Sequence, residues 1–345
     1  MPELPSPNDT VATQFDASNV AILGAGAIGQ LIWHQLTAAC GAQSPLLITR
    51  QLPTNQSLPI TLQITPHMTF QNAQRQDAQR QSTASVTARA NVVETRSLEA
   101  SQLAHIRLLI VCVKAYQVTA AVTSLLDKLP KHCHILLLHN GMGPHLEVQQ
   151  LISDNLSANL GLSLGTTSQA ALKVSEQHIQ HTGTGKTVIG HMAGSHCPQD
   201  LLLLLTHAIP QLSVQQNIIE ALWHKLLINC AINPLTAIEQ CRNGQLALPH
   251  YQQQINAIID ECILVAKADG IILPADHMQA TVMQVIHATA ENYSSMRQDV
   301  HFQRPTEIAQ INGYVVNRAQ AHQLEVRHNQ KLANRINKIT QLQQL

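Results

Sequence analysis

Short, wholly apolar runs alternate with helix-spaced stretches along the first two thirds of the chain, and the last third keeps helical spacing almost throughout. NVAIL (19–23) ends in GAGAIG, QLIWHQLTAAC follows with apolar positions three and four apart, and PLLIT closes at Arg50. Strand, glycine turn, helix and strand within about 30 residues is the layout of a βαβ unit. Residues 51–95 are polar and rich in Gln, Thr and Ser. The alternation in PITLQIT and SVTARANVV predicts short strands or hairpins around a Gln-rich tip at 71–82. HIRLLIVCVK and CHILLLHNG then read as buried strands on either side of a helix, QVTAAVTSLLDKL. TGTGKTVIGH (182–191) has the look of a hairpin, and LLLLLTHAIP of a helix stopped by Pro210.

Alternating strands and helices predict a doubly wound, mostly parallel sheet of Rossmann type. The change to an all-helical pattern near 212 predicts a second, all-α domain. The expected organisation is an extension at 1–18 that is loose because it is polar and holds three prolines, a dinucleotide-binding α/β domain at 19–212, and a helical substrate and catalytic domain at 213–345.

Composition narrows the function. Lys and Arg together number 21, as do Asp and Glu, for a formal charge of zero, and no basic run appears. Nucleic-acid binding needs clustered cations, so it is disfavoured. LLLLL is too short to span a bilayer and the N-terminus lacks a signal-peptide pattern, which predicts a cytoplasmic protein without a membrane partner. The seven cysteines are scattered, without a C-x-x-C pair, and several fall in apolar segments; reduced core residues are expected. The histidines show no tight metal-ligand spacing, and no metal is expected.

The candidate chemistry begins at the glycine turn. Gly24, Gly26 and Gly29 follow a strand and open a helix, the context in which G-x-G-x-x-G seats a pyrophosphate on a helix N-terminus. An NAD site places an acidic residue about 20 positions on. Here no acidic residue occurs between Gly29 and Asp77, and Arg50 stands at the second strand's end, where a guanidinium grips a 2′-phosphate. The cofactor read from this is NADP(H). Lys114 and Asn140 follow two further strands and should face the same crevice.

In the second domain, LWHKLLINCAINPLTAIEQC lines up Lys225, Asn229 and Asn233 at intervals of four on an otherwise apolar helix. Such a face suits an interdomain cleft, where small-molecule sites concentrate. ENYSSMRQDV adds Asn292, Ser294, Ser295 and Asp299, and RPTEIAQING adds Glu307. A nicotinamide site facing a lysine, amides, a hydroxyl and a carboxylate suits carbonyl reduction.

GAGAIG, VKAYQ, HNGMG, WHKLLINCAINPLTA, RNG, NYSSMRQDV and PTEIAQINGYV occur in that order between residues 19 and about 325. In this the chain resembles the 2-dehydropantoate 2-reductases (ketopantoate reductases), which reduce ketopantoate to pantoate with NADPH on the route to pantothenate and coenzyme A. The resemblance implies cofactor contacts at Gly24, Ala25, Gly26, Ala27, Ile28 and Gly29, and at Arg50, Lys114, Asn140, Ala170 and Glu307. It implies Lys225 as proton donor, with Glu307 beside it in the catalytic set. It further implies substrate contacts at Asn140, Asn229, Asn233, Asn243, Asn292 and Ser295. The partner would be a small 2-keto acid, and the protein a monomer or homodimer. His139 departs from the pattern, where Gln is commoner before NGMG. Two alternatives stay open: a reductase of the same plan acting on another 2-keto acid or an imine, and an NADPH-sensing protein without catalysis.

Overall fold

The computed structural model describes residues 15–41, 43–50, 56–64, 84–155 and 158–343. β1 (Val20–Leu23), α1 (Ala27–Cys40) and β2 (Leu46–Thr49) form the opening βαβ unit. The polar segment after it contains β3 (Gln56–Ile64) and β4 (Ala84–Glu94), paired antiparallel from Gln56↔Val92 to Ile64↔Ala84; the Gln-rich tip lies outside the described residues. Next come α2 (Ala100–Leu103), β5 (Leu108–Val111), α3 (Val118–Thr123), β6 (His134–Leu138), α4 (Pro144–Asp154) and β7 (Gly161–Thr167). β8 (Ala170–Ser175), β9 (His178–Gly183), β10 (Thr187–Gly194), α5 (Gln199–Ala208) and β11 (Leu212–Val214) complete the sheet-bearing part.

Six strands, in the order β7-β6-β5-β1-β2-β4, run parallel. This is the strand order of the dinucleotide-binding fold, with the reversal between β1 and β5. β1, β5 and β6 are buried at every position, as expected of strands covered on both faces. The sheet is longer than that core. β10 and β11 extend it beyond β7, and β3, β9 and β8 extend it beyond β4 to eleven strands. β7 and β8 lie near opposite ends of this order yet are joined by only Ser168 and Gln169. Three Cα steps reach about 11 Å at most, so the sheet must curl. It curls around α1: Leu31 of α1 packs with Leu62 of β3 and Ile179 of β9. TGTGKTVIGH is therefore not a hairpin. β9 pairs with β8 and β3, and β10 with β7 and β11.

The second part is helical: α6 (Ile218–Glu239), α7 (Pro249–Ala268), α8 (Ala275–Ala288), α9 (Ser295–His301), α10 (Asn312–Ala321) and α11 (Arg327–Leu342). α6 is its axis, packed against α7, α8, α9 and α11 and also against β7 and β10. One apolar cluster runs through both parts, joining Leu162 and Leu164 of β7 to Leu222 and Leu226 of α6 and to Ile258 and Cys262 of α7. Pro234 lies inside α6 and cannot donate to the carbonyl four residues back. That carbonyl, of Cys230, instead accepts from Asn312 Nδ2 at 3.3 Å.

One further expectation needs amending. The loose extension does not reach residue 18: Ala17 is fully buried and Phe15 stacks on His207, because both fill the apolar layer under α5. Residues 1–14 lie outside the described residues. The seven cysteines are all free thiols, four of them buried. No helix among the described residues is long and apolar enough to cross a membrane.

Candidate active site

The glycine turn makes a cradle. Gly24 holds φ at 113°, and its N–H donates to Ile48 O at 2.8 Å, tying the turn to the end of β2. A Cβ on Gly29 would lie 1.9 Å from Gly24 O, so the start of α1 presses directly on the turn. Gly26 differs: nothing stands within 4 Å of where its Cβ would be. α1 begins there with no side-chain cap, leaving the first-turn N–H groups of Ala27, Ile28 and Gly29 open to an anion. Buried Gln30 fixes the rim by donating to Ala25 O at 2.9 Å and to Glu176 O at 3.0 Å. Arg50 follows β2 directly, is exposed, and has no ion-pair partner among the described residues. Burial raises the phenol of Tyr116, and Lys114 and Arg50 are nearby cations that oppose it. Open N–H groups, a small residue facing space and an uncommitted guanidinium fit a dinucleotide carrying a 2′-phosphate.

Lys225 reaches this crevice from the other domain. Its Nζ donates to Asn140 Oδ1 at 2.8 Å and to Thr167 O at 2.6 Å, at the carboxyl ends of β6 and β7. Burial pulls the ammonium down from 10.5 to about 8, with Glu307 acting in the opposite direction. An ammonium has three N–H bonds and the protein takes two, so one is left for a ligand oxygen.

A charged group stands next to it. Glu307 is 4% exposed and accepts from Ala115 N at 2.9 Å, with Lys114 Nζ 3.7 Å away. Lys114 is closest to Asp299, at 2.6 Å, and Arg304 approaches the other Asp299 oxygen at 3.1 Å. Burial lowers Lys114, but Glu307 and Asp299 outweigh it and the net direction is up. Burial raises Asp299 against the pull of Lys114 and Arg304. Asp299 carries a signal in the sequence itself. It shares a helix face with Met296 and Val300, all three buried, and a carboxylate on the apolar face of a helix requires a partner. Thr167 had no such signal, because it contributes a backbone carbonyl.

Asn229 and Asn233 follow Lys225 along α6, half-buried and buried, and neither carboxamide has a hydrogen-bond partner among the described residues. Ala170 opens β8 three residues beyond Thr167. The remaining substrate candidates gather at a second place, the 289–295 loop. Asn243 N donates to Asn292 O at 3.0 Å, and Asn243 Nδ2 to Thr289 Oγ1 at 2.9 Å, which leaves its buried Oδ1 unpartnered. The side chains of Asn292 and Ser295 are exposed. The loop is fixed to α6 by Ser294, which shares a hydrogen with Thr236 Oγ1 at 2.7 Å and caps α9 at Arg297 N. The structure thus joins Lys225, Asn140, Lys114 and Glu307 at one crevice, with Asn229 and Asn233 further along the same helix. Among the described residues no hydrogen bond or ion pair joins that group to Asn243, Asn292 or Ser295.

Residues 20–194 match the sequence model described as ketopantoate reductase PanE/ApbA, and residues 217–340 the one described as ketopantoate reductase PanE/ApbA C terminal. The 2-dehydropantoate 2-reductase of Vibrio cholerae serotype O1 is 36% identical over 94% of this chain and 98% of its own length. That of Escherichia coli O157:H7 is 41% identical over 70% and 80% respectively. The crystal structure of a PanE/ApbA family ketopantoate reductase from Ralstonia eutropha JMP134 superposes with a TM-score of 0.76 at 25% identity, covering 94% of this chain and 99% of that one.

Proposed function

Because this chain belongs to the ketopantoate reductase family, we propose that it reduces 2-dehydropantoate to pantoate with NADPH, a step toward pantothenate and coenzyme A in the cytoplasm. The observation that carries the reading is Lys225, a buried amine from the helical domain held by Asn140 and Thr167 where the nucleotide crevice opens.

In this reading residues 19–212 hold the cofactor and 213–345 hold the substrate and the acid. Gly24 to Gly29 seat the pyrophosphate, and Arg50 takes the 2′-phosphate. Lys114, Asn140, Ala170 and Glu307 line the rest of the cofactor's path. Bound NADPH supplies a hydride to the keto carbon. Lys225 donates its third N–H to the keto oxygen and passes the proton across as alkoxide charge develops. An ammonium near 8 is protonated at neutral pH and a far better acid than one at 10.5. Asn229 and Asn233 offer their free carboxamides to the substrate's hydroxyl and keto groups. Ser295, with Asn292 on the same loop and Asn243 bonded to it from the turn after α6, receives the carboxylate when the substrate bridges the two groups of residues.

The test is consumption of NADPH with ketopantoate against shorter 2-keto acids that lack the 4-hydroxyl, and against imines. Preference for ketopantoate with NADPH over NADH supports the reading. Equal use of NADH would remove the Arg50 assignment. NADPH binding without turnover of any of these substrates would leave a sensing protein.

A further inference from the structure

The turn after β6 carries a group used by neither the phosphate cradle nor the lysine. His139 stands beside Asn140, where the first domain presses on the second. A Cβ on Gly141 would lie 2.6 Å from Gln310 O, and Met142 N donates to the same oxygen at 2.8 Å. His139 Nδ1 lies 2.9 Å from Asn140 O. A carbonyl only accepts, so Nδ1 carries the hydrogen, and in the neutral ring Nε2 is a bare acceptor. No described residue donates to that nitrogen.

The charged and titratable groups facing the ring are Lys225 from α6, Glu307 from the loop before α10, and His145 from α4. Burial drives the imidazole below its ordinary range; Glu307 opposes this and Lys225 adds to it. At neutral pH the ring is uncharged, and its neighbour Asn140 accepts from the amine assigned to the keto oxygen. A molecule filling this corner brings its reacting half here, because the adenosine end belongs at Arg50. Phosphates offer only acceptors at neutral pH. The nicotinamide half offers donors: two ribose hydroxyls and a carboxamide NH2.

We propose that His139 is a cofactor contact whose Nε2 accepts a hydrogen bond from a hydroxyl or amide N–H on the nicotinamide half of NADPH. The proposal rests on the NADPH reading above. A glutamine in the same place presents an oxygen acceptor and can serve the same donor, whereas a protonated histidine cannot.

The experiment measures NADPH affinity by cofactor fluorescence, without substrate, for wild type, His139→Leu and His139→Gln between pH 5.5 and 8. At neutral pH the Leu variant should bind at least about fivefold more weakly, the loss of one net hydrogen bond, and Gln should recover most of that. Wild-type and Gln-variant affinities should run parallel across this range, since burial and Lys225 keep the imidazole in its acceptor form. If the Leu variant does not fold, the imidazole 15N resonances of wild type decide: Nε2 should shift on NADPH addition. Leu binding at parity with wild type, or an unmoved Nε2 resonance, overturns the proposal alone. A wild type that binds no NADPH overturns it together with the proposed function.

Discussion

At the residue scale the site turns on how one amine is held. Lys225 sits near pKa 8 because burial disfavours its charge, while Asn140 Oδ1 and Thr167 O supply acceptors for two of its hydrogens. Ketone reduction should run at a plateau below pH 8 and fall as pH rises through about 8 and the ammonium is lost; kcat against pH checks this. The same shift marks stability. The unfolded lysine keeps its proton to about 10.5, so between 8 and 10.5 the unfolded chain binds more protons, and stability rises with pH. Lys225→Gln should raise Tm most below pH 8, and its advantage over wild type should shrink between 8 and 10.5. Lys225, Asn140 and Lys114 were legible from sequence because strand ends and a four-residue helical interval are local patterns. The carbonyl of Thr167 was not, since a backbone atom carries no residue identity.

At the element scale the start of α1 separates binding from folding. A methyl on Gly26 meets nothing in the protein. Gly26→Ala should leave the apoprotein's stability within about 1 kcal/mol, the usual range for a change at a helix N-cap, while intruding on a pyrophosphate and weakening NADPH binding. Gly29→Val puts side-chain atoms where Gly24 O lies and should lower Tm and binding together. Thermal melts paired with NADPH titration separate the two. α6 holds a similar lesson. Pro234 lies inside it, and Asn312 Nδ2 takes the freed Cys230 carbonyl while also donating to Asn329 Oδ1 at 2.9 Å. Asn312→Leu strands the Cys230 carbonyl and leaves Asn329 Oδ1 only the Cys262 thiol, which should cost about 1–3 kcal/mol for the stranded acceptor, read as a lowered denaturation midpoint. Periodicity gave the helix, but a partner about eighty residues away could not be seen from it.

At the scale of the whole molecule the two domains share a core and a charged contact. Asp299 of α9 joins Lys114 of the first domain to Arg304, and Glu307 holds Ala115 N. Asp299→Ala leaves Lys114 with Glu307 alone and Arg304 without its buried partner. It should lower Tm and weaken NADPH binding, more strongly at low salt, since Lys114 and Arg304 are partly exposed. The parallel six-stranded core was readable because each strand is a continuous apolar run. The curl to eleven strands was not: β3 and β9 meet across more than a hundred residues, and a polar strand that pairs at an edge looks like any exposed segment. The hairpin expected at TGTGKTVIGH failed for that reason, its two strands finding partners at opposite ends of the sheet.

All three scales converge on a cationic side chain brought from one domain to the mouth of the other. Turnover and NADPH affinity of Lys225→Ala, measured together, test this most directly. The account predicts that kcat with ketopantoate drops by roughly 10² to 10⁴, the range for a positioned acid, while NADPH still binds. A variant that turns over at a rate near wild type would contradict it.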